Sequence, residues 1–307
     1  MKKGKYLITG CAGFIGANLV EQLRKKYNLI LVDDLSEGSV SSLPKQYRKK
    51  IIKEKIQNIK NFKIKNLKGI IHLAAQSSVP LSVNEFFKSS TNNIVSSLKV
   101  FEIAKKNNVP VVYASSSAIY GNLPIGDDVK NKFSISSPYA QDKLSLEHYA
   151  KMFFDVFNVS SIGLRFFNVY GPKQKPDSPY SAVIPIFINR MKNNLPVVIN
   201  GGFQTRDFIF IEDVIKIIEI SMAKVQSKKI GSTFNVGTGR SININYLFKL
   251  IKKQIPNKSK IIKKSLDKFD PKKSSGSFIK LKKILKIKRF NFTKLEDGII
   301  KTILSLK

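Results

Sequence analysis

Residues 9–16 read TGCAGFIG and place glycines three apart, at Gly10, Gly13 and Gly16. The apolar run KYLIT (residues 5–9) leads into this loop and predicts a short buried strand, whereas the pattern after the loop predicts a helix. In such a turn Gly10 permits the tight bend, Gly13 lets a pyrophosphate approach the backbone, and Gly16 lets helix and strand pack closely. The unpaired N–H groups at the start of the helix attract the phosphates. The stretch therefore predicts a dinucleotide-binding site.

An acidic residue follows the loop at the distance that a ribose contact requires. The run Leu29–Val32 predicts a second strand, and Asp33 lies directly after it, about 20 residues beyond the glycines. Its carboxylate can accept hydrogen bonds from both ribose hydroxyls and would repel a 2′-phosphate, which favours NAD over NADP. A glycine-rich turn without a ligand is the alternative, and the agreement of strand, loop, helix and acid argues against it. Cys11 is interpreted as a small residue that fits the loop.

Apolar runs alternate with helical patterns along the chain. Further strands are predicted at 69–75, 109–114 and 160–165, and helices at 14–26, 92–106, 138 onwards, 183–191, 212–223, 244–253 and 294–304. This alternation predicts an α/β fold with a doubly wound parallel sheet of the Rossmann type and a smaller C-terminal α/β domain. We expect an NAD-binding domain at 1–166 with a return segment near 206–240, and a mainly substrate-binding domain at 167–307.

Size and composition place the chain among globular proteins. It has 307 residues, of which 42% are hydrophobic, enough for a core in one or two domains. A single cysteine excludes an internal disulfide and indicates a reducing compartment. No apolar run approaches the roughly 20 residues of a membrane span, and the N-terminal one ends too early for a signal peptide. We therefore expect a cytoplasmic protein without membrane contact. His72 is expected in the core and His148 in solvent, and with one cysteine they predict no metal site.

The formal net charge of +33 makes nucleic-acid binding an alternative function. Ten basic residues lie between Lys45 and Lys68, and nineteen between Lys249 and Lys307. Only seven basic residues are Arg, the residue that reads bases bidentately, and no aromatic stacking residues are interleaved with the charges. The richness in Lys, Ile and Asn is what A+T-rich coding would produce. We therefore interpret the charge as a solvated lysine surface, without a specific nucleic-acid partner.

The stretch SPYAQDK (residues 137–143) places Tyr139 and Lys143 four residues apart at the start of a predicted helix, with Ser137 as the expected N-cap. Positions i and i+4 share a helix face, so both side chains can point at one spot. An ammonium beside a phenol stabilises the phenolate and lowers the pKa of the tyrosine below its usual ~10. Tyr139 would then be a base near neutral pH. Two unrelated surface residues are the alternative.

Three serines decide between these interpretations. They lie in YASSSAIYGN (residues 113–122), where a predicted buried strand ends. A hydroxyl at the carboxyl end of such a strand, beside a dinucleotide site, lies where ligands bind in open α/β sheets. Ser116 is therefore a candidate catalytic residue, whereas a turn or cap stays equally open for Ser115 and Ser117. With Ser116 nearby, Tyr139 and Lys143 are interpreted as a proton-transfer pair.

The chain resembles the extended short-chain dehydrogenase/reductases and, within them, the UDP-hexose 4-epimerases. The resemblance covers nearly all of the first 240 or so residues. The motifs that carry it are TGCAGFIG, VDDLSEG, HLAAQSSVPLSV, SSSAIYG, SPYAQDK, LRFFNVYGP, AVIP and RDFIFIEDV.

The resemblance implies a mechanism and a set of contacts. Tyr139 would take the proton of the sugar 4-hydroxyl, Lys143 would hold the nicotinamide ribose, and Ser116 would bind O4, while hydride passes from C4 to NAD and back. The implied cofactor contacts are Gly10, Gly13, Phe14, Ile15, Gly16, Asp33, Leu73, Ala74, Ala75, Ser115, Tyr139, Lys143 and Phe166. The implied substrate contacts are Ser78, Ser117, Asn168, Ala182, Val183, Arg206, Asp270 and Ser274. For Arg206 a surface ion pair with Asp207 is the alternative. The resemblance also implies a homodimer.

The residues after Ser116 distinguish reactions within the family. Dehydratases carry acids there and related decarboxylases a Glu, whereas this chain has Ser117 and Ala118. We therefore expect NAD-dependent 4-epimerisation of a UDP-hexose, with UDP-N-acetylglucosamine or UDP-glucose as the substrate. The alternatives are a 4-keto reductase or dehydrogenase that releases its reduced cofactor, a UDP-glucuronate-type epimerase and a non-enzymatic nucleotide-binding regulatory protein.

The chain departs from the family pattern in three places. Lys55 stands where the family has an adenine-contacting Asp, and Asn58 is a candidate substitute. The expected Arg-x-x-Asp aligns with residues 267–270, so the diphosphate-binding Arg is missing, and Lys268 or Lys272 would replace its charge. Ser274 lies where a bulky residue restricts some family members to unsubstituted hexoses, so a small residue here predicts room for an N-acetyl group.

Overall fold

A computed structural model describes residues 4–60, 63–176, 182–266, 270–287 and 290–306. Its strands are β1 (Lys5–Thr9), β2 (Asn28–Val32), β3 (Leu67–His72), β4 (Val111–Ser116), β5 (Ser161–Phe166), β6 (Asn168–Tyr170), β7 (Val197–Asn200), β8 (Thr205–Phe210), β9 (Gly231–Val236), β10 (Ser241–Asn243) and β11 (Ile261–Lys264). Its α-helices are α1 (Phe14–Leu23), α2 (Val79–Asn84), α3 (Phe86–Asn107), α4 (Pro138–Phe157), α5 (Val183–Lys192), α6 (Ile211–Ser227), α7 (Ile244–Gln254), α8 (Ile279–Leu285) and α9 (Leu295–Ser305).

The main sheet has six parallel strands in the order β2-β1-β3-β4-β5-β9, which confirms the predicted doubly wound α/β class. Strand β1 pairs with β2 on one side and with β3 on the other, so the direction of winding reverses between β1 and β3. Ligands of open α/β sheets bind beyond the carboxyl ends of the strands at such a reversal. A single parallel bridge from Val32 to Ile52 extends the outer edge of the sheet.

The sheet is held by apolar packing against helices α3 and α4. Phe101 of α3 lies 5.2 Å from Phe153 of α4 and 5.9 Å from Tyr113 of β4, measured between ring centroids. These rings belong to one buried cluster with Leu7, Ile70, Val111 and other strand residues. Helix α4 begins as predicted, because the Ser137 side chain accepts a hydrogen bond from the Ala140 N–H at 3.2 Å and Pro138 opens the helix.

The described chain divides into two compact units. The first contains the residues up to Ser116, with 137–165 and 215–234, and therefore most of the main sheet. The second contains 117–136, 166–214 and the described residues from 235 onwards. It has two small sheets, ordered β10-β8-β6 and β11-β7. Within the described residues no helix combines the length and apolarity that a bilayer crossing requires.

Residues 117–136, which the sequence predicts in the NAD-binding domain, group with the second compact unit. The segment packs within the second unit, because Gly126 bonds through its backbone to Ser275 and Ser277. Asp128 accepts the backbone N–H of Asn235 at 2.9 Å in the same unit. The chain therefore leaves the first unit directly after Ser116 and re-enters it at α4.

Candidate active site

The glycine loop has the geometry that close backbone approach demands. Gly10 adopts a φ of 69°, and a Cβ there would lie 2.5 Å from the Ala74 backbone nitrogen. A Cβ on Gly16 would collide with the Gly10 carbonyl oxygen, so α1 packs directly on the loop. Gly13 differs, because its added Cβ would meet only that same oxygen, at 3.5 Å. Gly13 is the N-cap of α1, and no described side chain caps this helix end, which leaves its N–H groups for an anion such as a pyrophosphate.

Two alanine variants should separate these roles. We expect Gly16→Ala to lower the free energy of unfolding by roughly 1–3 kcal/mol or more, because backbone must shift to accept the methyl group. We expect Gly13→Ala to change stability by less than about 1 kcal/mol, because its φ of −72° suits alanine whereas alanine is a poorer N-cap than glycine. Urea denaturation without added cofactor measures both values. A Gly13→Ala protein destabilised as much as Gly16→Ala, or an undisturbed Gly16→Ala protein, would contradict this geometry.

Asp33 lies directly after β2 and is held against the glycine loop. Its Oδ2 accepts the Ala12 N–H at 2.8 Å, and its Oδ1 accepts the Leu35 N–H at 2.9 Å. Burial raises the pKa of this carboxyl, whereas these backbone donors lower it. Each carboxylate oxygen has a further lone pair, so the side chain can still accept hydroxyl groups. Loop, helix end and acid therefore fit a dinucleotide with a free ribose.

Strand β3 ends beside the loop in a buried histidine. His72 Nδ1 lies 2.7 Å from the Thr9 hydroxyl, and its Nε2 lies 3.1 Å from the Ser97 hydroxyl. Burial, and to a smaller extent the charge of Lys143, lowers the pKa of His72 to about 3. The prediction of a packed core histidine is confirmed, and His148 is exposed as expected. Residues 73–75, predicted as cofactor contacts, follow the strand, where the Leu73 N–H donates to the Thr9 carbonyl at 3.1 Å.

The neutral His72 ring predicts a pH dependence of stability. Below pH 6.5 His72 becomes protonated in the unfolded chain, whereas in the folded protein it stays neutral down to about pH 3. The contribution of the neutral ring is therefore complete above pH 6.5 and falls by about 1.4 kcal/mol for each pH unit below it. Between pH 6.5 and 5.0, wild type should lose roughly 2 kcal/mol more free energy of unfolding than His72→Gln. Urea denaturation at both pH values measures this, with His148→Gln as the control that keeps the wild-type slope. Equal losses in wild type and His72→Gln would show that His72 is protonated in the fold.

Strand β4 and helix α4 bring the three candidate catalytic side chains together in the first unit. Ser116 is the last residue of β4, and its side chain is hydrogen-bonded to Tyr139 in the first turn of α4. Lys143 lies one turn further, with its Nζ 5.7 Å from the centroid of the Tyr139 ring. The same Nζ donates to the Ala114 carbonyl at 2.9 Å. Tyr139 and Lys143 are both buried, so neither is a surface residue.

Burial dominates the acidity of this pair. It raises the pKa of Tyr139, and the hydrogen bond from Ser116 only partly opposes this. The expectation that Lys143 lowers the pKa of Tyr139 below 10 is therefore wrong for the fold by itself, because desolvation of the buried phenolate dominates. Burial also lowers the pKa of Lys143 to about 8, against the opposing charges of Asp142 and Glu147. In the fold the Lys143 ammonium therefore loses its proton at a lower pH than the Tyr139 hydroxyl does.

Behind this pair lies an ion pair that the sequence did not reveal. Glu147 of α4 pairs with Arg165 of β5 through two hydrogen bonds, of 2.9 and 2.6 Å, and both side chains are buried. Ser115 donates to the same carboxylate at 2.5 Å. Ser115, predicted as a cofactor contact, therefore has its hydroxyl buried against Glu147. The only signal in the sequence is that Glu147 follows Lys143 by four residues on the same helix face.

The predicted substrate residues of the second unit gather around β8. Arg206 forms an ion pair with Asp270 and not with Asp207, which is buried and accepts hydrogen bonds from Thr238 and Gly239. The Ser274 N–H donates to the Thr205 carbonyl at 3.0 Å, so the segment from Asp270 runs beside the strand.

Other predicted residues occupy defined places. Asn168 begins β6 and donates to the Asp207 carbonyl at 3.3 Å, and Ala182 is the N-cap of α5, which begins at Val183. Ser78 caps α2 by accepting the Leu81 N–H at 3.1 Å, and Ser117 begins a short 3₁₀ turn.

Phe166 ends β5 and is buried. Asn58 is bonded to Glu54 at 2.9 Å, so its side chain already has a partner on the surface. Residues 267–269, including the candidate Lys268, lie outside the described residues.

Comparison with known proteins identifies the family. A model of the NAD dependent epimerase/dehydratase family matches residues 6–237. The chain belongs to this family. It is accordingly an enzyme that uses NAD, the cofactor that its glycine loop and Asp33 fit.

Two solved epimerase structures have the same fold as this chain, and a further epimerase is similar to it in sequence. A UDP-N-acetylglucosamine 4-epimerase from Methanobrevibacter ruminantium M1, solved with UDP-N-acetylmuramic acid, is 35% identical with a TM-score of 0.89, over 100% of this chain and 99% of that one. A UDP-glucose 4-epimerase from Thermotoga maritima, solved with UDP-glucose, is 31% identical with a TM-score of 0.90, over 98% of each chain. The UDP-glucuronate 4-epimerase of Thermodesulfobacterium geofontis (strain OPF15) is 30% identical over 301 residues, 92% of this chain and 90% of that protein.

Proposed function

We propose that this family member is a UDP-hexose 4-epimerase. The observation that carries the proposal is the buried set formed by Ser116, Tyr139 and Lys143, in which a phenol and an ammonium lie one helical turn apart. The next two residues, Ser117 and Ala118, supply no carboxyl group for elimination of water. Oxidation and reduction at one carbon is the chemistry that this set supports.

In the proposed reaction Tyr139 accepts the proton of the sugar 4-hydroxyl and Ser116 hydrogen-bonds to O4. Lys143 supplies part of the positive charge that a buried phenolate needs, and the positive charge of oxidised NAD would supply the rest. NAD, which the glycine loop and Asp33 would hold, would supply the acceptor and donor of the hydride at C4. Tyr139 gives the proton back to O4 when the sugar is reduced, so neither a proton nor an electron pair is lost overall.

We assign the diphosphate to the second unit, where Arg206 offers the guanidinium fork that suits a phosphate. Asp270 holds this guanidinium through an ion pair, and the adjacent Lys272 adds a further positive charge. The family resemblance implies that Asn168 contacts the diphosphate and Val183 the uridine ribose. These roles are proposals that binding measurements on single variants can test.

A panel of UDP-sugars followed by NMR tests the function. We expect interconversion of C4 epimers with NAD that stays bound and no net absorbance change at 340 nm. Release of reduced cofactor in proportion to sugar oxidised would instead indicate a dehydrogenase. Absence of turnover with UDP-glucose, UDP-N-acetylglucosamine and UDP-glucuronate would overturn the proposal.

We further propose that N-acetylated sugars are accepted, because residue 274 is a serine. Ser274→Tyr should lower kcat/KM for UDP-N-acetylglucosamine at least tenfold and leave that for UDP-glucose within threefold, since only the acetamido group needs the space. A tenfold difference corresponds to about 1.4 kcal/mol, within reach of a steric clash. Ser275→Tyr, one residue along, is the matched control. Wild type that turns over UDP-glucose alone, with no activity on the acetamido sugar, would refute this proposal.

A further inference from the structure

Three residues of helix α4 share one face and each contacts strand β4. They are Tyr139, Lys143 and Glu147, spaced by four, and all three are buried. Their partners are the last three residues of the strand: Tyr139 contacts Ser116, Lys143 contacts Ala114 and Glu147 contacts Ser115. The catalytic pair is therefore the first two contacts of a row of three, and the third contact belongs to Glu147.

Glu147 is held more firmly than the other two. Arg165 binds both of its carboxylate oxygens, at 2.9 and 2.6 Å, and Ser115 donates to one of them. A buried carboxylate of this kind is tolerated only when paired and hydrogen-bonded, and the bidentate fork of arginine meets both needs. Because β5, β4 and α4 each supply one member, the cluster ties the helix to two strands.

We propose that Glu147 is a positioning residue of the active site, which fixes α4 against β4 and whose buried negative charge keeps the neighbouring Lys143 protonated. The role of Glu147 in catalysis rests on the proposed function. The effect of the Glu147 charge on Lys143 does not rest on it, because this effect can be measured without substrate.

The groups around Lys143 make the direction of the effect clear. Burial lowers the pKa of Lys143 to about 8, and Asp142 and Glu147 of the same helix are the two charges that oppose it. His72 of β3 faces Lys143 and is neutral, and Tyr139 is a protonated phenol. Glu147→Gln keeps the shape and removes one of the two opposing charges, so the pKa of Lys143 should fall below 8.

NMR of protein labelled with ¹³Cε-lysine measures this directly. The resonance that titrates near pH 8 and disappears in Lys143→Met is assigned to Lys143. In Glu147→Gln we expect its midpoint to fall by at least half a pH unit, a threefold change in the acid dissociation constant. Asp155→Asn removes a charge from the exposed end of the same helix, and Ser115→Ala removes a hydrogen bond to Glu147 without removing charge. Both controls should leave the midpoint in place.

An unchanged midpoint in Glu147→Gln, or an equal fall in Ser115→Ala, would overturn the proposal. Should Glu147→Gln fail to fold, the double variant Glu147→Gln/Arg165→Gln removes both buried charges and is measured instead. A smaller fall in the same direction is expected there, because Glu147 is one of the two charges that oppose the burial of Lys143 and the lost Arg165 charge offsets part of its removal. A protein that is inactive with every UDP-sugar would refute the epimerase function and would still give a result in this titration.

Discussion

Tyr139→Phe is expected to lower kcat for UDP-hexose epimerisation by roughly 10²–10⁴-fold, the range that a positioned acid–base group contributes. The phenol is the group that must take and return the O4 proton, and Ser116 is the side chain bonded to it. Phenylalanine keeps the ring in its buried place and removes only the hydroxyl. KM for the sugar and binding of NAD should therefore change little, so the loss should fall almost entirely on kcat.

Tyr149→Phe is the matched control for Tyr139→Phe. Tyr149 lies on the same helix but is 38% exposed, and removal of its hydroxyl should leave kcat within twofold. Steady-state kinetics with an NMR or coupled assay gives both numbers. A Tyr139→Phe enzyme that keeps more than a tenth of wild-type kcat would show that another group moves the proton.

Lys143→Met is expected to have opposite effects on activity and on stability. Activity should fall by about 10²-fold or more, because the positive charge beside the phenol is lost. Stability should rise by roughly 1–3 kcal/mol at pH 7, because methionine removes a charge that burial disfavours and fills similar space. If Lys143 had only a structural role, Lys143→Met would instead lower both activity and stability.

The stability effect of Lys143→Met should depend on pH. The folded pKa is about 8 and the usual lysine value is 10.5, so between these values the unfolded chain binds a proton that the folded protein has released. Wild type therefore gains stability as pH rises through this window, and the advantage of Lys143→Met should shrink. Urea denaturation at pH 7 and pH 10 measures this, with exposed Lys151→Met as the control. A constant difference at both pH values would contradict the buried charge.

Features of this fold that depend on local sequence could be predicted. The loop around Gly10 and the Ser137 cap are set by backbone conformation and by side chains within four residues, which the sequence displays directly. The strand β1 was predicted at its observed bounds because it is an uninterrupted apolar run. The α4 pair was predicted for the same reason, since helix spacing alone places Tyr139 and Lys143 on one face.

Features that depend on distant residues were missed. Arg206 pairs with Asp270, 64 positions away, and the sequence offered the adjacent Asp207 as a nearer partner. The direction in which the Ser115 side chain points depends on where β4 ends. The strand was predicted at 109–114, two residues too early, so the contact of Ser115 with Glu147 was not found. The strands β6 and β10 have three residues each, too few to show a period. The acidity of Tyr139 was misjudged because its degree of burial is a tertiary property.

In the proposed reaction hydride leaves one carbon and returns to the same carbon, while Tyr139 takes and gives back the hydroxyl proton. A UDP-hexose with deuterium at C4 is incubated with the enzyme in ordinary water, and both epimers are analysed by mass spectrometry and NMR. We predict that deuterium stays at C4 in substrate and product alike, with no label in the solvent. Loss of the label to water, or its recovery in released reduced cofactor without epimer formation, would contradict the account.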